Sequence, residues 1–463
     1  MSRRRPSPRT LGPGRAQAVV PNRHDRSLIP VGMSTILPEA VTQVRRMEEV
    51  LLATLGGWGY REIIPPTFEY LDVLAPGLEP GVIEACYKFA DRTTGRILLL
   101  RPDVTAQIAR IVAMGMVAAR LPLRLSYRTT VFRHEPEHAG RDREIFQVGA
   151  ELIGVDDAAM DGEIVALMGD CLGKLGLSDF TISLGHVGFF KALVARAGLS
   201  QDGRKRAEQA AAKKDLPRLE EILARERISA QAARGILETP RLYGREEVLN
   251  RGRALAGRDP QSRAALDRLT QVYRLLADAG FKDRLVLDLG EFRGFDYYDG
   301  VVFDVFAEGV GCELGGGGRY NNLIGRFGRD LPSTGFAFDV DRLFQALERR
   351  GNGSSSARGT VLVSAPADQA RRLFQVSGRL REAGLSVVHG SIRAASRNQP
   401  RSVLEEGRRL GVASAVLIGL PGRPPDEALV LTGLAGARPA QRRRVALKEV
   451  AGLLSKRGRE RPS

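Results

Sequence analysis

Apolar and polar residues alternate through REIFQVGAELIG. Phe146, Val148, Ala150 and Leu152 fall on one face, and Gln147, Gly149 and Glu151 on the other. A period of two is the signature of a strand. The string RTTVFRHEPEHAGRDREIFQVGAELIG over 128–154 reads as two strands joined by a long polar, basic loop. In the first strand Phe132 alternates with Arg133, so Arg133 joins the polar face. That face offers a carboxylate and an amide about 13 Å apart along the strand. The glycine between them leaves room for a ligand.

The pattern elsewhere predicts further elements. A helix is expected over 39–56, with Val41, Val44, Met47, Val50 and Leu51 as its apolar stripe. GWGYREIIPPTFEY reads as a strand ending at Pro65-Pro66, and edge strands tolerate proline where central ones do not. A hairpin turns at Thr94-Gly95 and returns over 97–100, followed by a helix over 106–121. Helix over 158–178 and strand over 180–184 come next. Residues 187–280, rich in Ala, Arg, Glu and Leu, read as a helical insertion. LVLDLGEFRGFDYYDGVVFDVF reads as two strands with Asp299-Gly300 as a hairpin turn. The glycines 315–318 let a backbone approach a ligand closely. Their spacing is that of neither a P-loop nor a dinucleotide fingerprint.

RGNGSSSARG reads as a linker over 349–359. Strands over 361–364, 385–388, 413–418 and 428–431 and helices over 368–383, 402–410 and 444–454 follow. This order implies a small α/β domain over 360–455. The expected organisation is a disordered basic tail over 1–28, a core over 29–348, the linker, the small domain, and a basic tail over 456–463.

The 463 residues suffice for two or three domains with real cores. The formal net charge of +16 is uneven. Residues 1–27 hold seven arginines against one aspartate, and 358–463 hold 20 basic against 8 acidic residues. The core therefore carries a balance of about −2. A basic excess suits nucleic acid, but here it sits at the ends and reads equally as solvated tails. The longest apolar run, 111–119, is too short to span a bilayer. The basic N-terminus lacks the apolar stretch of a signal peptide. Cys86, Cys171 and Cys312 are scattered, so neither a disulfide framework nor a zinc site is expected, and a reducing cytoplasm fits. No metal and no cofactor is expected.

FRxExxxxGRxREIFQxGxE resembles motif 2 of the class II aminoacyl-tRNA synthetases in its histidyl form. The stretch over 39–66 resembles motif 1, the dimer-forming element. RGFDYY resembles the histidine-specific signature, and CELGGGGRYNNLIGRFGRDLPSTGFAFDVDRL resembles motif 3. The implied fold is α/β (α+β): an antiparallel sheet flanked by helices, a helical insertion, and a small C-terminal α/β domain resembling an anticodon-binding domain. By resemblance Arg133 meets the carboxylate of the amino acid, and Gln147 and Glu151 hold it. Asp103 and Thr105 face its amino group. Arg293 is the cation near the reacting phosphate, and Tyr297 and Tyr298 line the imidazole pocket. A zwitterion with an imidazole needs just these groups, a guanidinium and acceptors for its cationic end.

Two departures separate the chain from a synthetase. Asp103 stands where the synthetase has glutamate, which withdraws the carboxylate by about one methylene. Asp339 stands where GxxR has its glycine, and it adds negative charge beside the polyphosphate site that Arg342 would serve. RPDVTAQIAR, IIPPTFEY, REIFQVGAELIG and GFAFDVDRL are similar to the synthetase-like regulatory subunits of ATP phosphoribosyltransferase. That resemblance implies a non-catalytic subunit in histidine biosynthesis. Its partner is a short catalytic subunit, its effector L-histidine, and its assembly a homodimer within a hetero-oligomer, with no tRNA expected. The alternative is a histidyl-tRNA synthetase, which charges tRNA at the expense of ATP.

Overall fold

The computed structural model describes residues 29–134, 143–291, 297–350, 360–390, 399–434 and 440–457. They form two compact units, divided between Gly353 and Ser354. Strands of the first unit are β1 (Arg61–Glu62), β2 (Phe68–Tyr70), β3 (Lys88–Ala90), β4 (Ile97–Leu100), β5 (Leu123–Phe132) and β6 (Glu144–Ile153). They continue as β7 (Phe180–His186), β8 (Tyr243–Gly244), β9 (Leu285–Asp288), β10 (Val301–Ala307), β11 (Gly315–Arg319) and β12 (Ser333–Asp339).

Nine of these make one sheet in the order β1-β5-β6-β12-β11-β10-β7-β9-β8. Its centre is antiparallel, while β1 runs parallel to β5 and β9 parallel to β7. Both faces are covered. On one, Val148, Ala150 and Leu152 join a large core with the helices Pro38–Gly57, Ala158–Lys174, Pro260–Leu276 and Val340–Arg349. On the other, Leu125, Tyr127 and Ile153 pack with Val104, Ile108 and Val112 of the helix Val104–Met114. The second face of β6 is therefore buried, not solvated. The glycine expected to make room for a ligand makes room for a side chain instead: a Cβ on Gly149 would lie 2.5 Å from the Tyr127 hydroxyl.

The helix Pro38–Gly57 is turned relative to its expected stripe. It buries Ala40, Val44, Met47, Glu48, Leu51 and Leu55 and leaves Val41 exposed. Glu48 is held in that face by Arg128 and Arg45, a pairing that a hydropathy pattern does not register. The strand expected to end at Pro65-Pro66 breaks early: β1 is two residues long and β2 belongs to a separate three-stranded sheet, β2-β4-β3. Arg101 fixes the proline bend, donating to Pro65 O at 2.9 Å and Pro66 O at 3.2 Å.

The expected hairpin at Asp299-Gly300 is absent. Strand β7 lies between β9 and β10 and pairs with both. The reason is distance in sequence: the region between β7 and β9 loops out and returns, so the neighbours in the sheet are not neighbours in the chain. That region carries helices Val187–Arg196, Gln201–Ala212, Leu216–Arg225, Ala230–Glu238, Glu247–Ala256 and Pro260–Leu276. It also carries β8, which pairs with β9, so the insertion is not wholly helical. Its apolar residues Ala207, Leu219 and Ile236 belong to the same core as the sheet.

The second unit has β13 (Val361–Ser364), β14 (Val387–His389), β15 (Ser414–Ile418), β16 (Glu427–Thr432) and β17 (Gln441–Ala446) in the order β14-β13-β15-β16-β17. Helices Ala370–Glu382, Gln399–Arg409 and Val450–Arg457 accompany them. Strand β17 replaces the start of the helix expected over 444–454. Its QRRR run is exposed at the sheet edge, so no apolar alternation marks it. Among the described residues no helix is long and apolar enough to cross a membrane.

Candidate functional site

A cavity of about 120 Å³ opens on the face of the sheet where β6, β11 and β12 meet the helix Val104–Met114. Asp103, Thr105, Arg133, Gln147, Tyr297 and Tyr298 all line it. The chain reaches it from separate stretches for local reasons. Asp103 caps the helix, its carboxylate accepting from Thr105 N at 3.2 Å and Ala106 N at 3.3 Å. Arg133 follows β5 and donates through Nε to Pro102 O at 2.7 Å. Gln147 faces Asp339 across the β6–β12 ladder. Tyr297 and Tyr298 stack edge to face on Tyr320, with ring centroids 5.7 and 6.3 Å away.

Glu151 stands beneath the cavity floor and is 1% exposed. Thr105 Oγ1 donates to its Oε1 at 2.8 Å, and the Tyr320 hydroxyl donates to Oε2. Burial pushes the Glu151 carboxyl up to about 8, against those two hydrogen bonds, which favour the charged form. Burial likewise raises the Asp103 carboxyl, opposed by the nearby Arg133 and by the hydrogen bond from Tyr297. The floor thus holds two carboxyl groups short of solvation. A bound ammonium would restore the charge balance that water supplies elsewhere.

Opposite them lies a closed ionic group. Asp339 caps the helix Val340–Arg349 and accepts from Asp341 N and Arg342 N at 3.1 and 3.2 Å. Arg342 Nε meets Asp339 Oδ2 at 3.0 Å, and its Nη1 meets Glu313 Oε1 at 2.8 Å. The guanidinium also donates to Glu313 O at 2.9 Å. The glycines of β11 have two roles. Gly315 and Gly316 line the cavity, whereas a Cβ on Gly317 would come within 1.9 Å of Gly335 O, so that glycine lets two strands close up.

The structure brings together seven of the eight residues singled out in the sequence, six in the cavity wall and Glu151 behind it. The eighth, Arg293, lies outside the described residues, as does the middle of the loop between β5 and β6. Sequence reasoning missed Tyr320, Tyr127 and Glu313. Tyr320 stands two residues beyond the glycine run and was open to inference. Tyr127 is legible only through the β5–β6 register, which sets it opposite Gly149. Among the described residues no group of three or more His, Cys, Asp or Glu side chains is placed to hold a metal.

The antiparallel sheet, the capped helix and the tyrosine-walled cavity define a class II synthetase-like domain of the histidyl type. The family described as histidyl-tRNA synthetase matches residues 32–343. Within that class, the chain belongs to the family of ATP phosphoribosyltransferase regulatory subunits. It is 37% identical to the regulatory subunit of Geobacter metallireducens over 421 residues, 91% of this chain and 94% of that one. It is 38% identical to that of Geobacter sulfurreducens over 399 residues, 86% of this chain and 90% of the other. A crystal structure described as an ATP phosphoribosyltransferase regulatory subunit/histidyl-tRNA synthetase from Bacillus halodurans superposes with a TM-score of 0.71 at 28% identity. It covers 81% of this chain and 95% of its own.

Proposed function

We propose that the chain is the regulatory subunit of an ATP phosphoribosyltransferase. It assembles with a short catalytic subunit, supports the first step of L-histidine biosynthesis, and carries the histidine feedback on that step. It acts as a homodimer within the hetero-oligomer and does not itself catalyse a reaction. Family membership supports the partner.

The observation that carries the histidine reading is the contrast between the two sides of one cavity. The amino-acid side keeps Asp103, Thr105, Arg133, Gln147, Tyr297 and Tyr298 around one space. Arg133 suits the carboxylate of histidine, Asp103 with Thr105 its ammonium, and the tyrosines its ring. On the nucleotide side, Arg342 is paired with Asp339 and Glu313. A guanidinium committed to two carboxylates is a poor partner for polyphosphate, and the carboxylates repel it. Adenylation is therefore not expected, and tRNA is not an expected partner.

Histidine feedback requires that histidine bind one state of the complex better than another, typically by about 1–3 kcal/mol. The test combines calorimetry of histidine binding, ATP–pyrophosphate exchange, tRNA charging, and reconstitution with the short catalytic subunit. Binding without exchange or charging is expected, with phosphoribosyl transfer that depends on this chain and falls with histidine. Arg133→Ala is expected to weaken histidine by about tenfold or more. Robust exchange and charging would identify a synthetase instead. Histidine binding that survives both Arg133→Ala and Glu151→Ala unchanged would remove the cavity from the proposal.

A further inference from the structure

The cavity tyrosines other than Tyr127 sit on two short stretches of chain, 297–300 and 319–322, and those stretches face two ways. Tyr297, Tyr298 and Tyr320 line the 120 Å³ cavity. Their neighbours Asp299, Arg319 and Asn321 line a second cavity, about 760 Å³, whose wall also includes the insertion helix Pro260–Leu276. Extended chain alternates its side chains, so Arg319 and Asn321 face one space and Tyr320 the other. One layer of backbone separates the two cavities here, and whatever fixes its polar side fixes its aromatic side.

The polar side is held by a shared ionic group. Arg319 is 3% exposed. Its Nε donates to Asp161 Oδ1 at 2.7 Å, and its Nη1 donates to Val155 O at 3.1 Å and Asn321 Oδ1 at 3.0 Å. Asn321 Nδ2 donates in turn to Asp156 Oδ2 at 3.0 Å. Asp299 ties the two stretches together. Its carboxylate accepts from Asn321 N and Asn322 N, both at 3.2 Å, and its own N–H donates to Arg319 O at 3.0 Å.

The insertion enters this group through Arg268. Its Nε donates to Asp161 Oδ2 and its Nη2 to Asp156 Oδ1, both at 2.8 Å. Two guanidiniums thus share two carboxylates, and the group is balanced without a ligand. A planar fork on two carboxylates fixes direction as well as distance. Asp161 is 1% exposed, so solvent screens its pairs little. A second, longer tie comes from the insertion helix Val187–Arg196, where Lys191 Nζ donates to Tyr298 O at 3.3 Å.

We infer that Arg268 is a positioning residue for the histidine cavity: through Asp161 and Asp156 it holds the backbone layer that carries Tyr297, Tyr298 and Tyr320, and so couples the insertion to histidine occupancy. This role rests on the histidine reading of the cavity. Coupling between two sites is reciprocal, so an insertion helix that sets the tyrosines is itself steadied when histidine rests on them.

The test uses the full chain, with calorimetry for histidine affinity and amide hydrogen exchange for local opening. The variants are Arg268→Ala, Arg268→Lys and Asp156→Ala. Asp156 is exposed, so its removal opens the group from the solvent side. Without histidine, both alanine variants are expected to speed exchange over 297–300 and 319–322. Their histidine affinity should fall by about fivefold to tenfold, and Arg268→Lys, which keeps the cation, should recover part of that loss. In wild type, histidine should slow exchange around Arg268, and Arg268→Ala should abolish the slowing. Arg251→Ala removes a different insertion pair, with Glu238 at 2.8 Å, and should move neither readout. The positioning role is excluded if either readout stays at the wild-type value in both alanine variants, or if Arg251→Ala lowers affinity as much. If wild type binds no histidine, the histidine reading falls, while exchange without ligand still decides whether Arg268 holds the tyrosines.

Discussion

Burial holds the Glu151 carboxyl above the usual carboxylate range, which its strand position does not suggest. Its carboxyl is raised from 4.5 to about 8 by burial. A group whose folded value lies above its unfolded value binds more protons when folded. Its stabilising contribution is therefore complete below pH 4.5 and lost as pH rises through about 8. Asp103, also raised by burial, acts with the same sign. Glu151→Gln should flatten the fall in stability between those values, where one such group contributes a slope of up to about 1.4 kcal/mol per pH unit. Denaturant melts of the two proteins across that range measure it, and identical slopes would mean that Glu151 is charged in the fold. The residues that line the cavity were legible where chemistry is local. Gln147 and Arg133 follow from a period of two. Tyr320 and Tyr127 matter through contacts with Glu151 and Gly149 that only the folded register creates, and a single strand does not specify its partners.

Asp103 shows how one residue serves an element and a cavity together. It caps the helix Val104–Met114 through two backbone N–H groups. Asp103→Ala should cost about 1 kcal/mol of stability from the lost cap. Asparagine caps as well as aspartate, so Asp103→Asn should keep the melting temperature close to wild type while weakening histidine, since the charge is gone. Equal histidine affinity in the asparagine variant would confine Asp103 to the cap. Strand closeness gives a second element-scale prediction. Gly317→Ala places a methyl group against Gly335 O across the β11–β12 ladder, where no flexible side chain can yield. A loss of about 3 kcal/mol is expected in equilibrium unfolding. Element types were readable wherever the apolar residues themselves keep a period, as in β6 and the helix Ala158–Lys174. At β9 and β10 the strands were readable but their pairing was not, because sheet order departs from chain order, and at β17 the type itself failed because the strand is polar on both sides.

At the scale of the molecule, the described residues divide their apolar interior cleanly. The cores around β6 and the helix Val104–Met114 draw only on the first unit. Those around β13 and β15 draw only on the second. Every residue lining the 120 Å³ cavity comes from the first unit, although the basic excess of the sequence is concentrated in the second. Charge and chemistry are thus assigned to different units. A histidine site made wholly by one unit does not need the other's side chains. A fragment ending at Gly353 is therefore expected to bind histidine within about threefold of the full chain, a change under about 0.7 kcal/mol. Calorimetry on the two proteins, with circular dichroism to check that the fragment is folded, decides it. A folded fragment whose histidine affinity has fallen by about a hundredfold would mean that the second unit contributes to the site.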